Sequence, residues 1–278
     1  MELKFREIDM PHTIIIAEIG ENHIGNTEIA KMLIEKAAEA GADYVKFQSY
    51  RPENFRRDDP EYNWFKKVSL SDEAHFMLKK HAEKHGVKFL SSPFGLERAK
   101  FLCEKLELKE IKIASGVMLN FSVLDYVNEH AKIVFLSTGM ATIEEIKMAL
   151  SHLNKIEKCY ILHCVTQYPC KDEEANLSAI TTLQKEFPDY EIGYSDHTTG
   201  YLAPIVAVSL GAKVIEKHFT FDKNAKEGTD HILSVEPEEL KEMIEHIRKV
   251  EILLGKPMKA PTEGEEKIIN FVRQRFVE

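Results

Sequence analysis

The chain has 278 residues, with 37 Lys and Arg against 46 Asp and Glu, a formal net charge of -9. That balance excludes a nucleic-acid-binding surface, which needs clustered Lys and Arg, and leaves room only for a local basic pocket. No apolar run approaches the ~20 residues that cross a bilayer. The opening "MELKFREIDMPH" also lacks the basic start and apolar core of a signal peptide. These features predict a cytoplasmic globular protein with no membrane and no nucleic-acid partner. The length suits one α/β barrel or two average domains, and the absence of a Pro/Gly-rich linker favours one. Cys103, Cys159, Cys164 and Cys170 include no C-x-x-C pair and are expected to be buried thiols.

In chain order, eight β-branched or apolar runs read as strands: "TIIIAEIG", "ADYVKFQS", "VKFLSSPF", "EIKIASG", "KIVFLSTGM", "CYILHC", "YEIGYSDH" and "AKVIEKHF". Helical periodicity fills the gaps, as in Glu28 to Ala40 before Gly41, Asp72 to His85 before Gly86, Ile143 to Leu153, and Pro237 to Leu254 before Gly255. Eight such alternations, with no G-x-G-x-x-G after the first strand, predict a parallel (β/α)8 TIM barrel over 1–255. The longest βα loop runs from Ser49 to Leu70. A tail over 256–278 carries Thr262-x-x-Glu265, a capping box expected to open one short helix through Phe276.

Active sites of such barrels lie at the C-terminal strand ends. Reading only those ends gives Glu18; Lys46 and Gln48; Ser91 and Ser92; Lys112 and Ser115; Ser137 and Thr138; His163 and Thr166; Ser195, Asp196 and His197; and Glu216 and His218. The stretch "GYSDHTTG" places Ser195, Asp196 and His197 side by side, which rules out a catalytic triad, since triad members come together from separate segments. Lys46 or Lys112 alone reads equally as an outward stem. Both together, on nearby strands beside serines, point to an anion site.

His197 and His218, on adjacent strand ends, could converge on one divalent ion, or be hydrogen-bonded core residues. On the first reading Asp196 orients His197 or joins it as a ligand, and Ser195 donates to an anion. His163 is left outside the metal set, and His23 could touch substrate or cap the first helix. Arg51, Arg56 and Arg57 could grip an anion, or be a solvated loop balanced by Asp58 and Asp59.

The ordered motifs "IIIAEIGENHIGN", "AGADYVKFQSY", "FLSSPF", "KIASG", "LSTGMAT", "LHCVTQYP", "GYSDHTTG", "GAKVIEKHFT" and "GTDH" make the chain resemble the catalytic barrel of the sialic acid synthase (NeuB-type) family. The resemblance implies condensation of phosphoenolpyruvate with the open-chain aldehyde of an N-acylated amino sugar, giving a 2-keto sugar acid and phosphate. It implies phosphoenolpyruvate on Lys46, Ser92, Lys112, Ser115, Ser137, Thr166 and Ser195. It implies a divalent ion, Mn²⁺ before Mg²⁺ or Co²⁺, on His197 and His218. Glu18, Gln48, Tyr168 and Asp230 would line the reacting aldehyde and sugar, with Glu18 as proton-transfer group supported by Asp230 and Glu216.

Two departures stand out. Val117 occupies a position that is often acidic in the family, and no antifreeze-like C-terminal domain follows, so a separate protein could supply one. The family also implies a homodimer. The alternatives are a Schiff-base keto-acid aldolase or lyase using Lys46 or Lys112, and a non-catalytic sugar-acid-binding homologue.

Overall fold

The computed structural model describes residues 12–228 and 230–275. Eight strands alternate with helices: β1 Ile14–Gly20, β2 Tyr44–Ser49, β3 Lys88–Pro93, β4 Glu110–Ile113, β5 Ile133–Ser137, β6 Lys158–Cys164, β7 Glu191–Asp196 and β8 Val214–His218. The helices are α1 Thr27–Ala40, α2 Tyr62–Val68, α3 Asp72–Lys84, α4 Leu96–Lys100, α5 Phe121–His130, α6 Ile143–Ser151, α7 Ala179–Glu186, α8 Leu202–Ser209, α9 Pro237–Leu254, α10 Glu263–Glu266 and α11 Ile269–Arg273. All ladders are parallel, in the order β3-β2-β1-β8-β7-β6-β5-β4, and β3 packs back against β4. The TIM barrel expected from the alternation is therefore present, nearly closed.

Local signals explain the boundaries. The Asn26 side chain accepts from the backbone N–H groups of Glu28 and Ile29 to start α1, and Gly41 ends it at φ 93°, a conformation glycine adopts without steric cost. A Thr142–Glu145 capping box opens α6. The long second loop is folded, with a 3₁₀ turn at Pro52–Asn54 followed by α2. The tail departs from the expected single helix. The Thr262–Glu265 box starts α10, but the chain turns at Lys267 and Ile268 before α11. Ile268, Phe271 and Val272 remain exposed, so no packing extends the first turn. Phe276, the expected end of that helix, lies outside the described residues.

The two-residue period of each strand sorts side chains into two cores. Ile15, Ala17, Val45, Phe47, Ile111, Val134, Ile161, Ile192 and Ile215 pack outward under the helices. Ile16, Tyr44, Leu90, Phe135, Leu162 and Val214 fill the barrel interior. A side chain one strand step, two residues, beyond this inner layer reaches the mouth. That parity selects Glu18, Lys46, Ser92, Ser137, Cys164 and Glu216. Gly193 faces inward too, where an added Cβ would lie 2.5 Å from Leu162 Cδ2 and 2.8 Å from Val214 Cβ.

Candidate active site

A cavity of about 480 Å³ opens at the C-terminal ends of the strands. Glu18, Lys46, Gln48, Ser92, Lys112, Ser115, Ser137, Thr166, Tyr168, Ser195, His197, Glu216, His218 and Asp230 all line it. The two lysines point inward rather than between the helices. Lys46 Nζ lies 2.8 Å from Glu18 Oε1 and 3.6 Å from Glu216 Oε1. Lys112 Nζ donates to Ser137 Oγ at 2.7 Å and stands 3.5 Å from Glu216 Oε1, which also accepts from Ser195 Oγ at 3.0 Å. Glu216 thus bridges two buried ammoniums.

Burial and the nearby Glu216 push the Glu18 carboxyl up to about 7, against the pull of Lys46. Glu216 is held below the usual carboxylate range, because Lys112, Lys46 and the Ser195 hydroxyl outweigh its burial. For Lys46, burial is overcome by Glu18 and Glu216, and its pKa rises. Burial keeps Lys112 below its ordinary value despite Glu216. Ser92 Oγ, Glu18 Oε2 and Glu216 Oε2 are buried with no hydrogen-bond partner among the described residues. Such unmet polar atoms aimed into a cavity suit a polar ligand that completes them.

The imidazoles of His197 and His218 meet across the same cavity, with ring centroids 5.3 Å apart. His197 Nδ1 lies 2.6 Å from the Val165 carbonyl oxygen. A carbonyl only accepts, so Nδ1 carries a proton and Nε2 is the nitrogen a cation would take; against its burial, Cys164, the Val165 carbonyl and Glu216 raise the pKa of this ring, so an ion there competes with a proton. His218 Nδ1 is buried without a hydrogen-bond partner among the described residues and stands 3.6 Å from Asp230 Oδ2. Burial, His197 and the lysines hold the His218 pKa well below its usual value, so this ring is neutral, the form that binds metal. Charge points the same way. Glu18, Glu21, Glu61, Glu216 and Asp230 face the cavity against Lys46 and Lys112. An anionic ligand would meet excess negative charge there unless a cation balances it. The residues therefore fit a divalent ion.

Several strand-end residues do not reach this cavity, and parity gives the reason. Ser91 donates to the Phe47 carbonyl, Thr138 to the Leu162 carbonyl, and His163 Nε2 meets the Ala175 carbonyl at 2.9 Å. Asp196 is not available as a ligand. Its carboxylate accepts from Tyr194 Oη and Thr198 N, each at 2.8 Å, and pairs with Lys217 Nζ at 2.7 Å, all outside the barrel wall. It thus braces the backbone that carries His197.

His23 is buried with Nδ1 accepting from the Gly25 N–H beside the start of α1. Arg51 pairs with Asp72 and Arg56 with Asp58, and neither reaches the cavity. Val117 belongs to the hydrophobic core, and the carboxyl groups at the mouth come from β1 and β8, through Glu18 and Glu216, and from the loops that carry Glu21, Glu61 and Asp230.

Sequence reasoning missed Glu21, Cys164, Phe55, Phe65 and Phe94, which also line the cavity. Glu21 accepts from Tyr50 Oη and Trp64 Nε1, both at 2.6 Å, and burial pushes it up to about 7. The aromatic wall comes from the second loop folding over β2 and β3, with Phe55 and Phe65 stacked at 4.0 Å. Only the clustering of Tyr50, Phe55, Trp64 and Phe65 in that loop signalled it.

Known proteins resemble this chain over most of its length. The NeuB family model matches residues 33–259. N,N'-diacetyllegionaminic acid synthase of Campylobacter jejuni is 42% identical, over 96% of this chain and 85% of its own length. Human N-acetylneuraminate-9-phosphate synthase is 37% identical, over 88% of this chain and 72% of its own. The crystal structure of N-acetylneuraminic acid synthetase from Leptospira borgpetersenii, in complex with citrate, superposes with a TM-score of 0.89 at 34% identity, covering 95% of this chain and 93% of that one. The chain belongs to the NeuB family and is a sugar-acid synthase of the sialic-acid type.

Proposed function

We propose that the barrel mouth condenses phosphoenolpyruvate with the open-chain aldehyde of an N-acylated amino sugar, giving a 2-keto sugar acid and phosphate. The observation that carries this reading is the adjacency, within one cavity, of two buried ammoniums among hydroxyls and an imidazole pair able to hold a cation. The names of the relatives support an acylated amino sugar, since the Campylobacter relative makes a diacetylated sugar acid and the human one an N-acetylated sugar-acid phosphate.

On this reading Lys46 and Lys112, with Ser92, Ser115, Ser137, Thr166 and Ser195, hold the carboxylate and phosphate of phosphoenolpyruvate. Gln48 and Tyr168 orient the sugar. His197 and His218 would hold Mn²⁺, or Mg²⁺ or Co²⁺, and such an ion supplies Lewis-acid polarisation of the aldehyde oxygen. Carbon–carbon bond formation leaves cationic character at C2 of the enol ether, which water attacks. The tetrahedral adduct then breaks down to ketone and phosphate by proton transfer. Glu18 serves those transfers because it is buried at the mouth with a pKa pushed to about 7 and one oxygen unpartnered. Asp230 supports it near His218, and Glu216 fixes the two ammoniums. The same reading has the enzyme working in the cytoplasm as a homodimer; no helix among the described residues is long and apolar enough to cross a membrane.

Incubation with phosphoenolpyruvate, Mn²⁺ and a panel of aldoses should release inorganic phosphate only with an N-acylated amino sugar or its phosphate. Phosphate release with none of them would refute the reading. A borohydride-trapped adduct of pyruvate on Lys46 or Lys112, formed despite chelator, would replace it with Schiff-base chemistry.

Gly139 offers a finer check. Its N–H donates to Ser115 Oγ at 3.0 Å, and an added Cβ would lie 2.1 Å from Thr166 Oγ1 and 2.8 Å from Ser115 Oγ. Gly139→Ala should spread these hydroxyls at a cost of about 1–3 kcal/mol. The expected result is a rise in KM for phosphoenolpyruvate of roughly tenfold or more, with the sugar KM little changed.

A further inference from the structure

Away from the mouth, α1 and α3 bring three metal-capable side chains together. His81 Nε2 lies 2.9 Å from Glu35 Oε1, and His85 Nε2 lies 3.8 Å from the same oxygen. The two imidazole centroids are 4.7 Å apart. One ligand atom from each residue falls within 4.8 Å of the other two. The i, i+4 spacing of the histidines puts both rings on one face of the end of α3. That end leads into the start of β3, so the cluster belongs to the barrel face remote from the catalytic mouth.

We infer that Glu35, His81 and His85 form a second metal site, for a zinc-class divalent ion, that clamps α1 to α3. Ligands about 2.0–2.1 Å from a tetrahedral ion stand roughly 3.3 Å from one another. The 2.9 and 3.8 Å separations straddle that edge, so small side-chain rotations admit the ion. Two imidazoles and one carboxylate suit Zn²⁺, Co²⁺ or Ni²⁺, whereas Mg²⁺ and Ca²⁺ favour all-oxygen sets.

A surface ion pair would account for His81 with Glu35. It uses only one of the two imidazoles set against that oxygen, the His85 ring standing at 3.8 Å, beyond hydrogen-bond reach. A divalent ion would engage both rings through a nitrogen lone pair of each and match the carboxylate. The cluster ties helices whose ligands are 46 residues apart. Metal bound only by the folded chain stabilises it by mass action. Three protein ligands and the exposure of His85 leave the ion open to solvent, so it exchanges with free metal.

The test uses the metal-stripped full chain carrying His197→Ala and His218→Ala, which removes the mouth pair, titrated with Zn²⁺ by calorimetry and followed by thermal unfolding. The expected result is one remaining Zn²⁺ site and a Tm raised by several degrees, with no such gain from Mg²⁺. Adding His85→Gln or His81→Gln should weaken that site at least tenfold and abolish the gain in Tm. In the otherwise native chain the same substitutions should leave turnover unchanged. No Zn²⁺ site in the His197→Ala/His218→Ala protein, or equal affinity with and without His85, would overturn the assignment. Glu35→Gln, which keeps the shape and removes the charge, provides a third variant if His81→Gln folds poorly.

Discussion

His197→Ala or His218→Ala is expected to lower metal-activated kcat/KM by roughly 10³-fold, because the Lewis-acid contribution of a bound ion is worth several kcal/mol and each 1.36 kcal/mol is tenfold in rate. The fold should survive. Truncating His197 removes its ring hydrogen bond to the Val165 carbonyl, worth about 1 kcal/mol, and a longer contact of the same nitrogen with Cys164 Sγ at 3.8 Å. His163→Gln provides the discriminating control. His163 is a histidine on β6, but it faces outward onto the Ala175 carbonyl and does not line the main cavity. Its replacement should cost some stability and leave turnover within about twofold. Phosphate-release kinetics over a range of Mn²⁺ concentrations would check both. Equal losses at positions 163, 197 and 218 would mean general damage to the barrel rather than loss of a cation.

Lys217→Met should produce the largest loss of stability. Lys217 and Asp196 are both fully buried, 2.7 Å apart, with Lys217 also donating to the Thr198 carbonyl. Methionine replaces the stem but leaves the Asp196 carboxylate without its cation. Breaking one partner of a buried pair costs about 3–5 kcal/mol, which for a domain of this size corresponds to a fall in Tm of roughly 10 °C. Because the cost is mainly the orphaned charge, Lys217→Met/Asp196→Asn should recover a large part of it; the Asn side chain can still accept from Tyr194 and Thr198.

The pair also precedes each mouth histidine by one residue, Asp196 before His197 and Lys217 before His218. Loosening it should raise the Mn²⁺ concentration for half-activation by about tenfold, the usual scale for losing outer support of a metal ligand. Thermal unfolding and metal titration of the folded fraction measure the two effects separately. A Lys217→Met protein with an unshifted Tm would show that Asp196 finds another partner or takes up a proton.

Much of the barrel was legible because its determinants are local. Apolar runs of strand length, helices stopped by Gly41 and Gly86, and the Thr142–Glu145 capping box are encoded within a few residues of where they act. The convergence of Glu18, Lys46, Lys112, His197 and His218 could be read from strand ends, since parallel strands of one barrel deliver their C-terminal residues to one mouth. The tail was less legible. A capping box fixes only the first turn, and continuation needs a surface to pack on that the tail does not meet.

What the sequence by itself determined was therefore the alternation of elements, the closed parallel architecture and the set of reactive groups near the mouth. Tertiary structure decided which neighbour in each polar pair faces inward: Ser92 and not Ser91, Glu216 and not Lys217, His197 beyond the strand and not Asp196 within it. It also decided that α1 and α3 bring Glu35 to His81 and His85. The physical reason is that adjacent strand residues differ by a half-turn set by barrel closure and register, and contacts between helices depend on how they dock. Both are collective properties of the packed chain that no short window of sequence contains.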